Sequence, residues 1–423
     1  MKSVYLLATL DTKGLEAAFV RDALAARGVA TVVVDTGCMG APTIVADVER
    51  AAVFEAAGLT LADLVAQNDR GAAVTGATLG ATRLLAEAHA RGEVAGVLGL
   101  GGSAGTAIGT SAMRALPIGV PKVMVSTVAS GQVRPYVGDK DILMLNSVVD
   151  ILGLNRISRM ILGEAARAMA GLVLFADDSA STSSATATDR PLVAVTMFGV
   201  TTPCVMRARE VLEGAGYEVL VFHATGNGGL AMESLIRDGL IVGVLDVTTT
   251  ELADELVGGV FSAGPTRLIA AAEVGIPQVV SVGALDMVNF HAPETVPARL
   301  SGRQFHRHNA NVTLMRTTPD ENAALGAEIG RKLAGATGKA EIWLPLQGVS
   351  AIDAPGQPFE DQAARHALFA ALRAHAGETR IVEVNRHINA PEFAEAAADR
   401  LIDLLRVHLP DHRTRIRAVI LPE

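Results

Sequence analysis

A glycine-rich loop at residues 101–106 has the composition of an anion-binding site. Its sequence is Gly-Gly-Ser-Ala-Gly-Thr. Glycines let the backbone approach a ligand closely, and the hydroxyls of Ser103 and Thr106 add hydrogen-bond donors. The loop lacks the spacing of a Walker A motif, and Gly99, Gly101 and Gly105 are not spaced as in a G-x-G-x-x-G fingerprint. Two interpretations therefore stay open: the loop binds a phosphate, or its glycines allow a strand and a helix to pack closely.

Two other polar segments follow predicted strands in the same half of the chain. Asp11, Thr12 and Lys13 follow an apolar strand, and Ser126 and Thr127 end another. Lysine can meet a phosphate as a point charge, although Asp11 or Thr12 could equally cap the next helix. The hydroxyls could likewise belong to a simple turn. Because loops after parallel strands open onto one crevice, we expect both segments to converge on the glycine loop.

Metal ligands and reactive thiols are weakly indicated. Asp139 and Asp141 are close in the sequence and could hold magnesium, or could be surface charges or helix caps. No Cys/His pattern has zinc spacing. Cys38 follows a predicted strand, and such a cysteine more often packs than reacts. We predict no dedicated protein metal site.

The second half contains five polar residues in separated segments. They are His223, Arg303, His306, Ser350 and Arg386. The glycines at 226, 228 and 229 resemble a second anion cradle, and the arginines could hold a carboxylate or phosphate. We predict that at least three of the five line one pocket facing the first half, and treat them as catalytic candidates. The alternative is that local neighbours satisfy each of them separately.

The elements that would position these residues occur twice. An apolar strand, a polar loop and a helix begin at residue 94, and a similar succession begins at residue 240. The segments 118–126 and 274–282 also correspond. We therefore predict an α/β protein with two Rossmann-like domains, mainly parallel sheets and an origin by internal duplication. Two unrelated domains that share common α/β patterns are the alternative.

The predicted domains are residues 1–178, which bind the ligand, and residues 190–423, which form a substrate domain. Between them, residues 179–189 are small and polar, as in a linker. A chain of 423 residues has the length for two or three domains.

The charge, the cysteine count and the apolar pattern of the chain argue against nucleic-acid and membrane partners. The net charge is −9 and no segment is dense in lysine and arginine, which argues against a nucleic-acid partner. Two cysteines are too few for a disulfide framework, which is typical of a cytoplasmic protein. There is no signal-peptide pattern and no apolar run long enough for a membrane span. We expect a cytoplasmic protein with no membrane partner.

Taken together, several motifs resemble a known family. They are residues 7–14, 101–106, 119–131 and 148–155 in the first half, with 198–203 and 289–309 in the second. They are similar to the N-terminal region of the tomato mosaic virus resistance protein family, whose bacterial relatives are uncharacterised proteins with an ATP-binding domain. The resemblance implies two α/β domains, ATP or a related nucleotide in the first, and a homodimer. By motif match it implies ATP contacts at Asp11, Thr12, Lys13, Gly101, Gly102, Ser103, Gly105, Thr106, Ser126 and Thr127.

The expected function is that of an ATP-binding protein of two domains. A metabolic enzyme, or enzyme subunit, acting on a small anionic substrate is one interpretation, and magnesium would accompany the nucleotide. The alternative is a nucleotide-sensing or scaffold protein without turnover, which the missing Walker motifs favour. A third option is a transferase with a nucleotide-linked donor, which would bind its nucleotide in the second domain.

Overall fold

The computed structural model describes residues 2–38, 40–60, 69–176, 190–307, 311–336 and 339–408. The chain divides into two compact units, residues 1–188 and 189–423. The predicted linker, residues 179–189, lies outside the described residues. No helix in the described ranges is long and apolar enough to cross a membrane.

The first unit has a parallel five-stranded sheet in the order β2-β1-β3-β4-β5. Its strands are β1 (Ser3–Ala8), β2 (Thr31–Asp35), β3 (Val94–Gly101), β4 (Lys122–Ser126) and β5 (Leu143–Asn146). Its described helices are α1 (Leu10–Ala25), α2 (Arg50–Ala56), α3 (Arg70–Ala90), α4 (Ser103–Arg114), the short α5 (Arg134–Val137) and α6 (Arg156–Leu174).

Helices cover both faces of this sheet, which explains why its strands are apolar almost throughout. Successive side chains of a strand point to opposite faces. Accordingly, Val4 and Leu6 pack with α1 and α6, whereas Tyr5 and Leu7 pack with α2, α3 and α4. A strand buried on both faces reads as a continuous apolar run, as predicted for a parallel α/β sheet.

The second unit has a parallel six-stranded sheet and a small antiparallel one. Its strands are β6 (Leu192–Met197), β7 (Glu218–His223), β8 (Gly243–Thr248), β9 (Gln278–Gly283), β10 (Met287–Phe290), β11 (Phe305–Arg307), β12 (Thr313–Arg316), β13 (Ala340–Pro345) and β14 (Arg380–Val384). Its described helices are α7 (Thr202–Gly214), α8 (Asn227–Arg237), α9 (Thr250–Val257), α10 (Ala270–Val274), α11 (Pro319–Leu333), α12 (Gln362–His375) and α13 (Pro391–His408). The sheet orders are β14-β13-β9-β8-β6-β7 and β10-β12-β11.

The two parallel sheets repeat one topology. In each, the first strand of the unit lies between the second and the third, and the fourth follows the third. The predicted α/β class with two Rossmann-like domains is confirmed, and the repeat is present in the strand order. The antiparallel sheet β10-β12-β11 is an addition between β9 and β13 that has no counterpart in the described part of the first unit.

Candidate functional site

The strand order of the first unit reverses between β1 and β3. The chain leaves β1 into α1 on one face of the sheet and leaves β3 into α4 on the other. The loops after these strands therefore diverge and leave a crevice at the carboxyl edge, the usual ligand position in such sheets. A cavity of about 390 Å³ lies there. It is lined by Thr9, Asp11, Thr12, Lys13, Cys38, Arg70, Val74, Gly102, Ser103, Ala104, Gly105 and Ile108.

The glycine loop serves both of the functions that the sequence left open, at different residues. A Cβ atom on Gly101 would lie 2.6 Å from the Cα atom of Gly105, so Gly101 is required for packing. A Cβ atom on Gly102 would meet nothing closer than 3.6 Å, and the backbone φ of −76° suits any residue. Packing therefore does not require a glycine at position 102, where the backbone borders the cavity.

Helix α4 begins at the loop with an open N-terminus. Gly102 is the N-cap and supplies no side-chain hydrogen bond. The N–H groups of Ser103, Ala104 and Gly105 have no partner among the described residues, whereas the N–H of Thr106 already donates to the carbonyl of Gly102 at 2.8 Å. Unpaired N–H groups and the positive end of the helix dipole make this a position that favours an anion.

Four of the residues predicted to contact ATP lie outside the cavity lining. They are Gly101, Thr106, Ser126 and Thr127. The hydroxyls of Thr106 and Ser126 are both buried and lie 2.7 Å apart, and the N–H of Thr127 donates to the carbonyl of Gly101 at 3.2 Å. These contacts hold the glycine loop against β4, so the residues position the loop. The other six predicted residues line the cavity.

The segment after β1 forms a tight turn at the entrance to α1. The N–H groups of Thr12 and Lys13 both donate to the carbonyl of Thr9, at 3.0 and 2.7 Å. The backbone of Lys13 is non-helical, with φ −127° and ψ 19°. Its side chain forms no ion pair among the described residues, so its ammonium is available to an anion in the cavity.

Asp35 ties the loops after β1 and β2 together beneath the cavity. Its Oδ1 accepts from the N–H of Leu10 at 3.0 Å and from the N–H of Gly37 at 2.8 Å. Burial raises the pKa of Asp35, while these hydrogen bonds and the Arg50 guanidinium oppose the rise. Asp35 fixes the position of the turn that carries Lys13.

Arg70 is a lining residue that sequence reasoning missed. It is the first residue of α3, whose N-cap Asp69 accepts from the N–H groups of Gly71 and Ala72 at 2.8 and 3.1 Å. The cap marks a helix start in the sequence. It does not show that this end of α3 meets the carboxyl edge of the sheet, because the last described element before α3 is the helix α2 and not a strand.

Cys38 lines the cavity as a neutral thiol. Burial raises its pKa to about 11, and the nearby carboxylates of Asp11 and Asp35 add to the rise. A thiolate is the reactive form, so Cys38 is not an activated nucleophile. This agrees with the prediction that it packs.

Of the paired acids Asp139 and Asp141, Asp141 has its contacts in an ion pair and a backbone hydrogen bond. Asp141 accepts from the buried Lys122 ammonium at 2.7 Å and from the N–H of Gly119 at 2.8 Å. Across the described ranges, no group of three or more His, Cys, Asp or Glu side chains is placed to hold a metal.

The glycine loop of the second unit is already occupied by a carboxylate of the same chain. Oε1 of the buried Glu251 accepts from the N–H of Gly226 at 2.7 Å and from the N–H of Gly229 at 3.0 Å. Its Oε2 pairs with Nε of Arg267 at 2.7 Å. The anion cradle predicted after His223 therefore exists, and its anion is internal.

Arg267 lies at the centre of this buried cluster. It is fully buried and holds Asp246 through two hydrogen bonds of 2.6 and 2.8 Å. Glu233 lies 3.6 Å away. The Arg267 guanidinium thus contacts three carboxylates. These contacts hold the loops after β7 and β8 in position.

The five catalytic candidates of the second unit all have contacts with neighbouring residues. Arg303 pairs with Glu321, Ser350 donates to Asp286 and the exposed Arg386 lies 3.6 Å from Glu392. His223 and His306 contact the aromatic rings of Phe198 and Phe359. Neither described cavity of this unit is lined by any of the five. Each of the five thus has a local partner, and the shared pocket stays a prediction.

Two of the five candidates, His223 and His306, lie beside one apolar cluster. Phe198, after β6, packs with Met287, Leu314 and Phe359 where the carboxyl edge meets the antiparallel sheet. The two histidines contact the rings of Phe198 and Phe359, which belong to this cluster. His308 lies outside the described residues.

Comparison with known proteins finds one family along both units. Residues 2–178 match the N-terminal domain, and residues 190–405 the C-terminal domain, of "Uncharacterised protein family (UPF0261)". A UPF0261 protein of Clostridium tetani is 48% identical over 406 residues, which are 96% of this chain and 99% of that one. A UPF0261 protein of Rhizobium meliloti is 48% identical over 408 residues, with the same coverage. ToMV resistance protein Tm-1(GCR237) of Solanum lycopersicum is 47% identical over 338 residues, 79% of this chain and 45% of the tomato protein.

Proposed function

This chain belongs to the uncharacterised protein family UPF0261, and we propose that its first unit binds ATP in the cavity between β1 and β3. The observation that carries the proposal is the open N-terminus of α4 at the reversal of strand order, with Lys13 and Arg70 lining the same cavity. The phosphates would accept from the N–H groups of Ser103, Ala104 and Gly105. The two cations would neutralise their charge.

The contrast between the two units supports this assignment. In the second unit the glycine N–H groups bind Glu251. In the first unit, the N–H groups of the glycine loop after β3 have no partner among the described residues and border a cavity. The proposal therefore places the nucleotide in the first unit, in contrast to a transferase whose nucleotide occupies the second.

Magnesium is included as the ion that accompanies ATP. In the cavity, Asp11 is the lining carboxylate, and its Oδ2 accepts from the N–H of Gly40 at 3.1 Å. Mg²⁺ is commonly held by one or two carboxylates together with phosphate oxygens. The ion would thus bind with the nucleotide.

The residues that line this cavity fit nucleotide binding without hydrolysis better than they fit catalysis. The described lining contains no histidine, and its one thiol is neutral. A role in sensing or as a binding subunit follows. An enzyme acting on a small anionic substrate is the second candidate, favoured by an arginine-lined cavity in the second unit.

We also propose that the protein is a cytoplasmic homodimer. The edge strand β5 pairs only with β4 among the described strands, and exposed apolar side chains lie on it and in the chain that follows. Leu143, Val148 and Leu152 are 53%, 67% and 73% exposed, and Val148 has a strained φ of 62°. Such a patch is typical of an interface.

Light scattering should show a dimer that Val148→Asp weakens, whereas Val45→Asp at another exposed site should leave it intact.

The nucleotide proposal is tested by calorimetry and thermal unfolding with ATP, ADP and adenosine, each with and without Mg²⁺. A ligand that binds the native state raises the unfolding temperature by mass action. ATP should give the largest rise and adenosine the smallest, because only the phosphates reach the α4 N-terminus. No rise with any nucleotide, or an equal rise with adenosine, would refute the site.

A further inference from the structure

A second cavity, of about 740 Å³, lies in the second unit at the carboxyl ends of β13 and β14. One wall is the face of α12 that carries Arg365, His366, Phe369 and Arg373. The opposite wall includes Leu346 and Gln347 from the loop after β13. This cavity was not found by the sequence analysis, and it lies outside the proposed nucleotide site.

Arg365 is the charged group on which the site depends. The residue is 6% exposed and lines the cavity, so its remaining solvent contact is through the cavity. Nη1 donates to Oδ1 of Asp353 at 2.6 Å. Its Nε and Nη2 have no hydrogen-bond partner among the described residues, and both atoms are accessible to solvent. A buried guanidinium therefore presents unpaired donors to the cavity.

The surrounding charges leave this site positive. Oδ1 of Asp353 also lies 3.7 Å from the buried Arg316, so one carboxylate faces two guanidinium groups. Asp286 faces the same cluster and accepts from the Ser350 hydroxyl at 2.7 Å. Burial and the neighbouring Asp353 raise the pKa of Asp286 to about 7, which reduces its negative charge near neutral pH. At the rim, Arg373 forms an ion pair with Glu383.

The loop after β13, which forms one wall of the cavity, is held in position by hydrogen bonds and close packing. The ring of His387 accepts from the N–H of Asn389 at Nδ1, so Nε2 carries the proton and donates to the carbonyl of Ser350 at 2.9 Å. Gly348 has φ +139°, and a Cβ atom there would lie 2.1 Å from the carbonyl of Asp353 and 2.6 Å from the His387 ring. Only glycine lets the loop and the ring pack this closely.

We propose that this cavity binds a small monocarboxylate with an apolar carbon skeleton. The carboxylate would accept from Nε and Nη2 of Arg365, because the planar guanidinium matches a carboxylate in a bidentate pair. The skeleton would pack against Phe369 and Leu346, and the exposed His366 would lie at the entrance.

Two features favour a monocarboxylate over a phosphate. The N-terminus of α12 is already capped by Asp361, whose carboxylate accepts from the N–H of Ala364 at 2.9 Å, so the helix offers no open anion site. Glu383 also lines the cavity. Its charge would repel a dianion more than a monoanion.

The test titrates the full chain with benzoate, using ligand-observed NMR, and compares neutral benzamide and inorganic phosphate. Benzoate should bind saturably and the other two should not displace it. Lack of saturable benzoate binding, equal binding of benzamide, or displacement by phosphate would overturn the proposal. ATP binding measured in the same samples keeps this result separate from the fate of the nucleotide proposal.

Charge-changing variants test whether benzoate binds in this cavity. His366→Glu adds a negative charge at an exposed position and should weaken benzoate about tenfold by like-charge repulsion. The matched control Ala374→Glu adds the same charge at an exposed α12 residue outside the lining and should leave the affinity unchanged. Glu383→Gln removes a negative charge and should strengthen binding. Equal effects of the two glutamate variants, or weaker binding by Glu383→Gln, would place benzoate elsewhere.

Discussion

Gly101 and Gly105 approach so closely that a Cβ atom on Gly101 would lie 2.6 Å from the Cα atom of Gly105. This contact sets the angle at which α4 leaves β3. The adjacent Gly102 has open space where a side chain would be. The two neighbouring glycines therefore have different roles. Gly101 allows close packing, and Gly102 leaves the backbone accessible from the cavity.

Gly102→Val should lower ATP affinity at least about tenfold, or roughly 1.4 kcal/mol, because a side chain would occupy the approach to the α4 N-terminus. The free energy of unfolding in urea should change little. Gly101→Val should instead destabilise the fold. Calorimetry and urea unfolding of both variants check this pair. Unchanged ATP affinity for Gly102→Val would remove the glycine loop from the site.

Lys13→Ala and Arg70→Ala should each weaken ATP more than adenosine, since only ATP presents phosphate charge to these cations. Arg27→Ala, at an exposed arginine outside the lining, is the control and should leave both affinities unchanged. Isothermal titration with the two ligands measures the difference. Equal losses for ATP and adenosine would show that the cations stabilise the loop and do not contact phosphate.

Asp35→Ala should destabilise the first unit by about 1–3 kcal/mol, because the buried N–H groups of Leu10 and Gly37 lose their acceptor. Asp35→Asn keeps one oxygen as an acceptor and should retain most of the stability. Urea unfolding and ATP titration of both variants test this. The two variants behaving alike would mean that the charge of Asp35, and not its hydrogen bonds, positions the turn.

Arg267→Met should destabilise the second unit by about 3–5 kcal/mol, since it leaves buried carboxylates without their partner. Arg209→Met removes an exposed pair with Glu213 and should cost at most about 1 kcal/mol. Chemical unfolding followed by fluorescence compares the two. A small loss for Arg267→Met would indicate that the carboxylates take up protons when the cation is removed.

Cys38 should react slowly with iodoacetamide, because its raised pKa lowers the thiolate fraction. With a pKa of about 11, about one thiol in a thousand is ionised at pH 8. The alkylation rate should therefore rise about tenfold for each pH unit between pH 7 and 9.5. Peptide mass spectrometry separates Cys38 from Cys204. ATP should slow the Cys38 reaction further, while a rate that levels off near pH 8.5 would show an exposed, ordinary thiol.

Much of the architecture followed from local patterns. Continuous apolar strands followed by helices, such as residues 94–116, indicated parallel sheets covered on both faces. The correspondence of residues 118–126 with 274–282 predicted a repeated α/β unit, and the strand orders of the two sheets repeat. Six of the ten residues predicted to contact ATP line the cavity, because they directly follow β1 and β3 and a loop's position at a strand end is a local property.

Residue partners, in contrast, were decided by tertiary structure. Glu251 fills the second glycine loop from 22 to 25 residues away, and Arg365 meets its cavity through the crossing of α12 over the loop after β13. The five candidates of the second unit are also polar residues, but their partners, such as Glu321 for Arg303 and Asp286 for Ser350, are distant in the sequence. Spacing along the chain specifies a helix or a strand through backbone geometry. Which side chains meet depends on how distant elements pack, and that packing determined which glycine loop is open and which is occupied.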